Sequence, residues 1–144
     1  MTTPQPILIE QLLKAPADKV WDAISLREEM RKWYFDLAAF EAIPGFEFQF
    51  EGGPEDRIYI HKCRVTEVIP RQKLSYTWRY EGYPGLSTVH FNLSEEGSGT
   101  RVRLVHEGLE TFPPEPDFAA ENFRAGWTHI IQTALKEFLE GSSR

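Results

Sequence analysis

The residues of this chain with chemistry to offer are four histidines, one cysteine and a scatter of carboxylates and serines. His61 and Cys63 lie two apart on a predicted strand, so both fall on one face and could supply two metal ligands. A metal site needs three or four, and nothing nearby completes the set, so no metal is expected. His106 shares its predicted face with Val102 and Leu104 and points inward. There it either orients a ligand or moves a proton, or it is a buried histidine bonded to backbone, which is the plainer reading. His90 and His129 fall off the apolar faces and are read as exposed. Glu67 and Glu107 sit at strand positions, and Glu10 faces away from Ile9. A glycosidase needs two inward carboxylates at a set separation, and exposed sheet charges describe these three better. Ser25, Ser75 and Ser87 lack a GxSxG elbow. Gly52-Gly53 lacks the lysine and helix of a phosphate loop. No catalytic residue, metal or cofactor is assigned.

Aromatic residues say more. They make up 13% of the 144 residues, with four Trp, five Tyr and ten Phe. Each buries a large area, so a domain this small either has a very aromatic core or lines a cavity with some of them. Phe50, Trp78 and Phe91 read as mid-sheet packing. Trp33, Tyr76, Phe112, Phe123 and Trp127 lie nearer the last helix's start and the proline loop, where a cavity would open. The full candidate lining is Trp33, Phe48, Tyr76, Trp78, His106, Phe112, Phe123, Trp127 and Ile130.

The elements that must position them follow from periodicity. Ile7 to Leu13 reads as a strand, with Gln11 marring its apolar face. Pro16 opens a helix from about Ala17 to Ser25, striped by Val20, Trp21 and Ile24. A second short helix spans Arg27 to Trp33. Leu37 to Ile43 is a weak strand, since alanines are poor strand formers. Phe46, Phe48 and Phe50 alternate with Glu47 and Gln49. Gly52-Gly53-Pro54 turns the chain, and Arg57 to Ile69 is a long strand ended by Pro70. Leu74, Tyr76, Trp78 and Tyr80 alternate, as do Val89, Phe91 and Leu93. After the Gly97-Ser98-Gly99 turn, Val102, Leu104 and His106 alternate. Pro113, Pro114 and Pro116 mark a loop. A long helix then runs from Asp117, a capping residue, to Glu140, and Gly141 stops it. Its stripe is Phe123, Trp127, Ile130, Ile131, Ala134 and Phe138. About 22 helical residues at 1.5 Å give roughly 33 Å, enough to cross a small sheet. Met1 to Gln5 reads as a loose end.

The expected fold is α+β: one domain over residues 1–144, an antiparallel sheet of six or seven strands curled on the C-terminal helix. The wedge between them suits an apolar small molecule. A net charge of −6 argues against nucleic acid and anionic membranes. No run of apolar residues is long enough for membrane insertion. A single cysteine makes no internal disulfide, and no signal peptide is visible, so a cytoplasmic protein is expected.

Several pieces resemble a known superfamily. Ala15-Pro16 with Val20-Trp21 resembles the start of START-like, or polyketide-cyclase-like (SRPBCC), proteins, and Trp33 falls where these often carry a tryptophan. Val65 to Pro70 followed by Leu74-Ser75-Tyr76-Thr77-Trp78 resembles their "V.EV.P…L.YTW" hairpin. Gly99 to His106 resembles "GTRV.L.H", and Gly126-Trp127 the "GW" of the last helix. Together they are similar to the branch related to the C-terminal domain of the activator of heat-shock protein 90 ATPase. The resemblance covers nearly the whole chain and implies the helix-grip fold. It implies carriers of lipids and hormones, or aromatase/cyclases, and carries no catalytic signature across. The reading that follows is a binder of a hydrophobic or aromatic small molecule, more a binder than an enzyme. The alternatives are a co-chaperone-like interaction module and a cyclase or hydrolase-like enzyme. The full co-chaperone has a separate N-terminal domain that this sequence does not show, so chaperone activation is not expected. Whether the chain is a monomer or a homodimer stays open.

Overall fold

A computed structural model describes residues 6–34, 37, 39–52, 58–113 and 118–140. Strand β1 (Ile7–Leu13) leads into helices α1 (Ala17–Ser25) and α2 (Arg27–Trp33). Five strands follow: β2 (Glu47–Gly52), β3 (Tyr59–Ile69), β4 (Lys73–Tyr80), β5 (Ser87–Glu96) and β6 (Gly99–Glu107). A 3-10 turn, Leu109–Thr111, then precedes the C-terminal helix. The sheet order is β1-β6-β5-β4-β3-β2, every pairing antiparallel. The two short helices carry the chain from one sheet edge to the other. Four hairpins then bring it back until β6 pairs with β1.

Alternation builds the inner face. Across five strands the register sets Ile7, His106, Val89, Tyr76 and Val65 in one row. The next rows hold Phe48, Cys63, Trp78 and Ser87, and Ile9, Leu104, Phe91 and Leu74. Each row is a line of cross-strand neighbours whose side chains touch on one side of the pleat. A register shift between Val65 and Glu67 marks a β-bulge, which bends β3 and lets the sheet curl.

The C-terminal helix differs from its expected form. It starts at Ala120, not Asp117, which lies outside the described residues. It is α-helical over Ala120–His129, π-helical over Ile130–Leu135 and α-helical again over Lys136–Glu140. The physical reason lies in its buried side chains: Phe123, Trp127, Ile131 and Leu135 recur every fourth residue. In an α-helix of 3.6 residues per turn such a stripe drifts by about 40° per step. The wider π turn takes up the drift and keeps Ile131 and Leu135 on the sheet. Ile130, Ala134 and Phe138, expected on the stripe, are therefore only half-buried, and Leu135 takes the core position.

Leu37 to Ile43 forms no strand at its described positions. The segment is tied by side chains instead: the Arg27 guanidinium donates to the Leu37 carbonyl, while Leu37 and Phe40 are buried. The long third strand begins at Tyr59, Arg57 being outside the described residues, as are Met1 to Gln5, Gly53, Pro54, Pro114, Pro116 and Gly141. Among the described residues no helix is long and apolar enough to cross a membrane.

Candidate functional site

The rings converge under the C-terminal helix. Trp127 sits 5.5 Å from Trp78, 6.0 Å from Phe91 and 6.3 Å from Tyr34, measured between ring centroids. Trp78 in turn lies 5.6 Å from Phe50 and 5.5 Å from His106. Phe48 meets Tyr76 edge-on at 5.1 Å. At the other end Phe123 stacks on Phe112 at 6.0 Å and meets His106 edge-on at 5.2 Å. Of the nine candidate lining residues, Phe48, Tyr76, Trp78, His106, Phe112, Phe123 and Trp127 thus form one continuous ring cluster. Trp33 joins it through Tyr34, 5.1 Å away. Ile130 is only half-buried and packs against the edge of the cluster.

Polar tips inside the cluster bond one another. The Tyr34 and Tyr76 hydroxyls share a bond of 2.7 Å. The Trp78 indole N–H donates to the Tyr80 hydroxyl at 2.9 Å. The longest chain runs through His106, which is 0% exposed. The Trp127 indole, a donor only, gives its proton to His106 Nδ1 at 2.9 Å. Nδ1 is therefore the acceptor, so the proton of the neutral ring sits on Nε2. Nε2 meets Ser87 Oγ at 2.8 Å, and Ser87 passes its own proton to the Trp78 carbonyl. The histidine is thus bonded by side chains, not by backbone as the plainer sequence reading had it. Burial, with His90 nearby adding to it, pulls the His106 pKa down to about 3. The neutral form is the one this chain of bonds requires.

His61 and Cys63 both face inward, as their spacing predicts. His61 stacks on Phe50 at 4.5 Å and bonds the Tyr59 carbonyl. Burial holds its pKa down at about 4 and pushes the Cys63 thiol up. Among the described residues no group of three potential metal ligands forms.

Two members of the cluster were not legible as candidates, and a third was passed over. Tyr34 follows the last turn of α2, where no periodicity reaches. Phe118 packs 5.0 Å from Tyr80 from within the proline loop. Ser87 had a signal, since it falls in phase with Val89 and Phe91 on an inward face.

The outer face holds a second polar set. The sequence pattern places His90 on the exposed side of its strand, but its side chain is only 20% exposed. It lies between Ser75 Oγ, 2.7 Å from Nδ1, and the Glu107 carboxylate, 2.6 Å from Nε2. The order serine, histidine, carboxylate is that of a hydrolase relay. Ser75 is 1% exposed, however, and lies mid-strand between β3 and β5, so its hydroxyl is closed to a substrate from solvent. The set ties three strands together. His129, read as exposed, is exposed.

Where β6 meets the start of the C-terminal helix, a cleft of about 410 Å³ is lined by Pro6, His106, Leu109, Phe118 and Ala120, together with Glu107 and Glu110. Gly85 lies at φ +114°, where an added Cβ would meet Phe112 at 2.5 Å and the Thr111 carbonyl at 2.7 Å. Gly85→Ala is expected to destabilise the protein by about 1–3 kcal/mol through backbone strain and to displace Phe112. A urea midpoint unchanged from wild type would contradict this.

The architecture and chain have recognisable relatives. The family described as "Activator of Hsp90 ATPase homolog 1-like protein" matches residues 14–140. Protein MLL2253 of Mesorhizobium loti is 24% identical, with a TM-score of 0.81 over 97% of this chain and 100% of that one. BH1534 of Bacillus halodurans is 28% identical, with a TM-score of 0.77 over 97% and 100%. CalU16 of Micromonospora echinospora is 26% identical, with a TM-score of 0.72 over 95% and 77%. Among curated proteins no significant match is found.

Proposed function

We propose that this chain, which belongs to the Activator of Hsp90 ATPase homolog 1-like family of START-like proteins, binds a neutral, oxygen-bearing aromatic molecule between its sheet and its C-terminal helix. The observation that carries this reading is that three pairs of interior polar tips bond one another, while those of Trp33 and His61 bond backbone carbonyls. Buried side-chain groups mostly bond backbone or water. Here Tyr34 bonds Tyr76, Trp78 bonds Tyr80, and Trp127 bonds His106. A ligand hydroxyl set between the two members of any of these pairs can accept from one and donate to the other, and a ligand carbonyl can accept from both members of the Tyr34–Tyr76 or Trp78–Tyr80 pair, so no buried group is stranded. The surrounding rings offer flat apolar faces to the rest of the molecule.

Charge narrows the ligand class. No lysine or arginine is buried among the described residues. His61 and His106 stay neutral near pH 7. A fatty-acid carboxylate drawn inside would be an uncompensated buried charge. Glu107 and Glu110 beside the cleft repel anions before they enter. Phenols, quinones and aromatic ketones meet all three conditions.

The test is a titration of flavonoids, anthraquinones and fatty acids against tryptophan fluorescence. Neutral aromatics should change the emission saturably, and fatty acids should not. Tyr34→Phe should weaken binding about tenfold, the worth of one hydrogen bond, at a stability cost of about 1 kcal/mol. Binding of fatty acids in preference to aromatics, or no response to either, would refute the proposal.

A second reading, a co-chaperone-like interaction module, draws on the family's description and on Leu8 and Leu12. These are exposed apolar residues on the outer side of the edge strand β1. If it holds, Leu8→Glu with Leu12→Glu abolishes a partner contact and leaves aromatic ligand binding intact.

A further inference from the structure

Remote from the interior, the outer face of the sheet has a cleft of about 570 Å³ across β2, β3 and β4, lined by Gln49, Lys62, Arg64, Thr77 and Arg79, with Glu47 and Leu86. Register puts Lys62 directly opposite Arg79, and Arg64 directly opposite Thr77. Residues so placed have Cβ atoms about 5 Å apart, and diagonal neighbours lie about 7–8 Å apart. Three cations therefore stand at the corners of one small square.

This arrangement works against stability. Like charges directly opposite each other weaken a sheet. The chain has 22 acidic residues against 16 basic ones, so acids to neutralise them are plentiful. Further along the same face they do so: Arg101 bonds Glu96 at 2.6 Å and Glu10 at 3.5 Å, and Arg103 reaches Glu10 at 3.7 Å. Among the described residues, Lys62 alone in the cleft has such a partner, Glu81 at 3.2 Å. Arg64 and Arg79 form no ion pair among the described residues, although Glu47 stands opposite Arg64 in register. Two uncommitted guanidinium forks beside an ammonium group, around a concave surface, match the oxygens of a phosphate group.

We infer that this cleft binds a small polyanion carrying phosphate groups, held by Arg64, Arg79 and Lys62. The inference is independent of the interior ligand, and either site can fail without the other.

Inorganic pyrophosphate is the probe, with sodium chloride at matched ionic strength as the control for screening. Thermal unfolding and calorimetric titration are read for the wild-type protein and for Arg64→Gln, Arg79→Gln and Arg103→Gln. Pyrophosphate should raise the melting temperature of wild type and Arg103→Gln beyond the chloride control. Its affinity should fall about tenfold in each of the other two, the loss expected for one charge-assisted contact. All three positions are on the outer face, so the variants fold. Without pyrophosphate, Arg79→Gln should be at least as stable as wild type, because it relieves the repulsion opposite Lys62. A response to pyrophosphate equal to that of chloride overturns the inference, as does equal affinity in all four proteins. Binding of a polyglutamate peptide without pyrophosphate binding also overturns it and gives the cleft to an acidic protein segment.

Discussion

Acidification from about pH 7.5 to about pH 5 is expected to remove about 4 kcal/mol of unfolding stability, half of it through His106. Burial is the main reason that His106 and His61 hold folded pKa values of about 3 and about 4. In the unfolded chain both titrate near about 6.5. Between these values the unfolded state takes up protons that the folded state refuses. Their contribution is therefore fully present above about pH 6.5 and is lost as pH falls toward the folded values. At about pH 5 each histidine has lost about 2 kcal/mol, at about 1.36 kcal/mol per unit. Glu96 and Glu140 are held below the usual carboxylate value by Arg101, and by the Lys14 N–H with Lys136, respectively. Their effect belongs to a more acidic range. Urea unfolding at several pH values measures this. His106→Gln should start less stable and lose only about 2 kcal/mol over the same interval. An equal loss in wild type and variant would mean that His106 is not held neutral by its surroundings.

That outcome depends on contacts of a kind the sequence expresses unevenly. The inward phase of His106 is plain from Val102 and Leu104, because a strand has a period of two and its faces can be counted. Its partners are not. Ser87 and Trp127 lie 19 and 21 residues away, and only the strand register and the helix's rotation bring them to the ring. The same holds for Ser75, His90 and Glu107, which come from three strands and meet because of pairing alone. Alternation similarly gave away β2, β4, β5 and β6, while β1 showed through despite Gln11 and β3 by its length between a glycine turn and Pro70. It misled at Leu37 to Ile43, where short-range pattern suggested a strand and the Arg27 side chain captured the backbone instead. The π turn was hidden for a different reason. A four-residue repeat is close enough to 3.6 to pass for an ordinary amphipathic helix, and the accumulated drift shows only once the helix must lie on a sheet. Tyr34 was invisible because the end of a short helix has no period to betray a direction.

Trp127→Ala is expected to cost about 3–5 kcal/mol of stability, as for the loss of a fully packed aromatic. Trp127 is 2% exposed and has the rings of Tyr34, Trp78, Phe91 and His106 around it. A tryptophan on the wall of an open cavity would lack neighbours on one side and cost less. Trp127→Phe separates packing from polarity. It keeps an aromatic ring against Trp78 and Phe91 but removes the indole N–H. His106 Nδ1 then loses its donor, at a cost of about 1–3 kcal/mol. Urea midpoints of the two variants give the two costs. The alanine variant also offers a chemical check. Truncation leaves an apolar space of indole size next to a ring wall, and such spaces take up aromatic solutes. Added indole should therefore raise the midpoint of Trp127→Ala and leave Trp127→Phe unmoved. If Trp127→Ala costs no more than Trp127→Phe, the ring does not pack as described. If indole rescues neither, the helix has closed over the gap that the indole ring leaves.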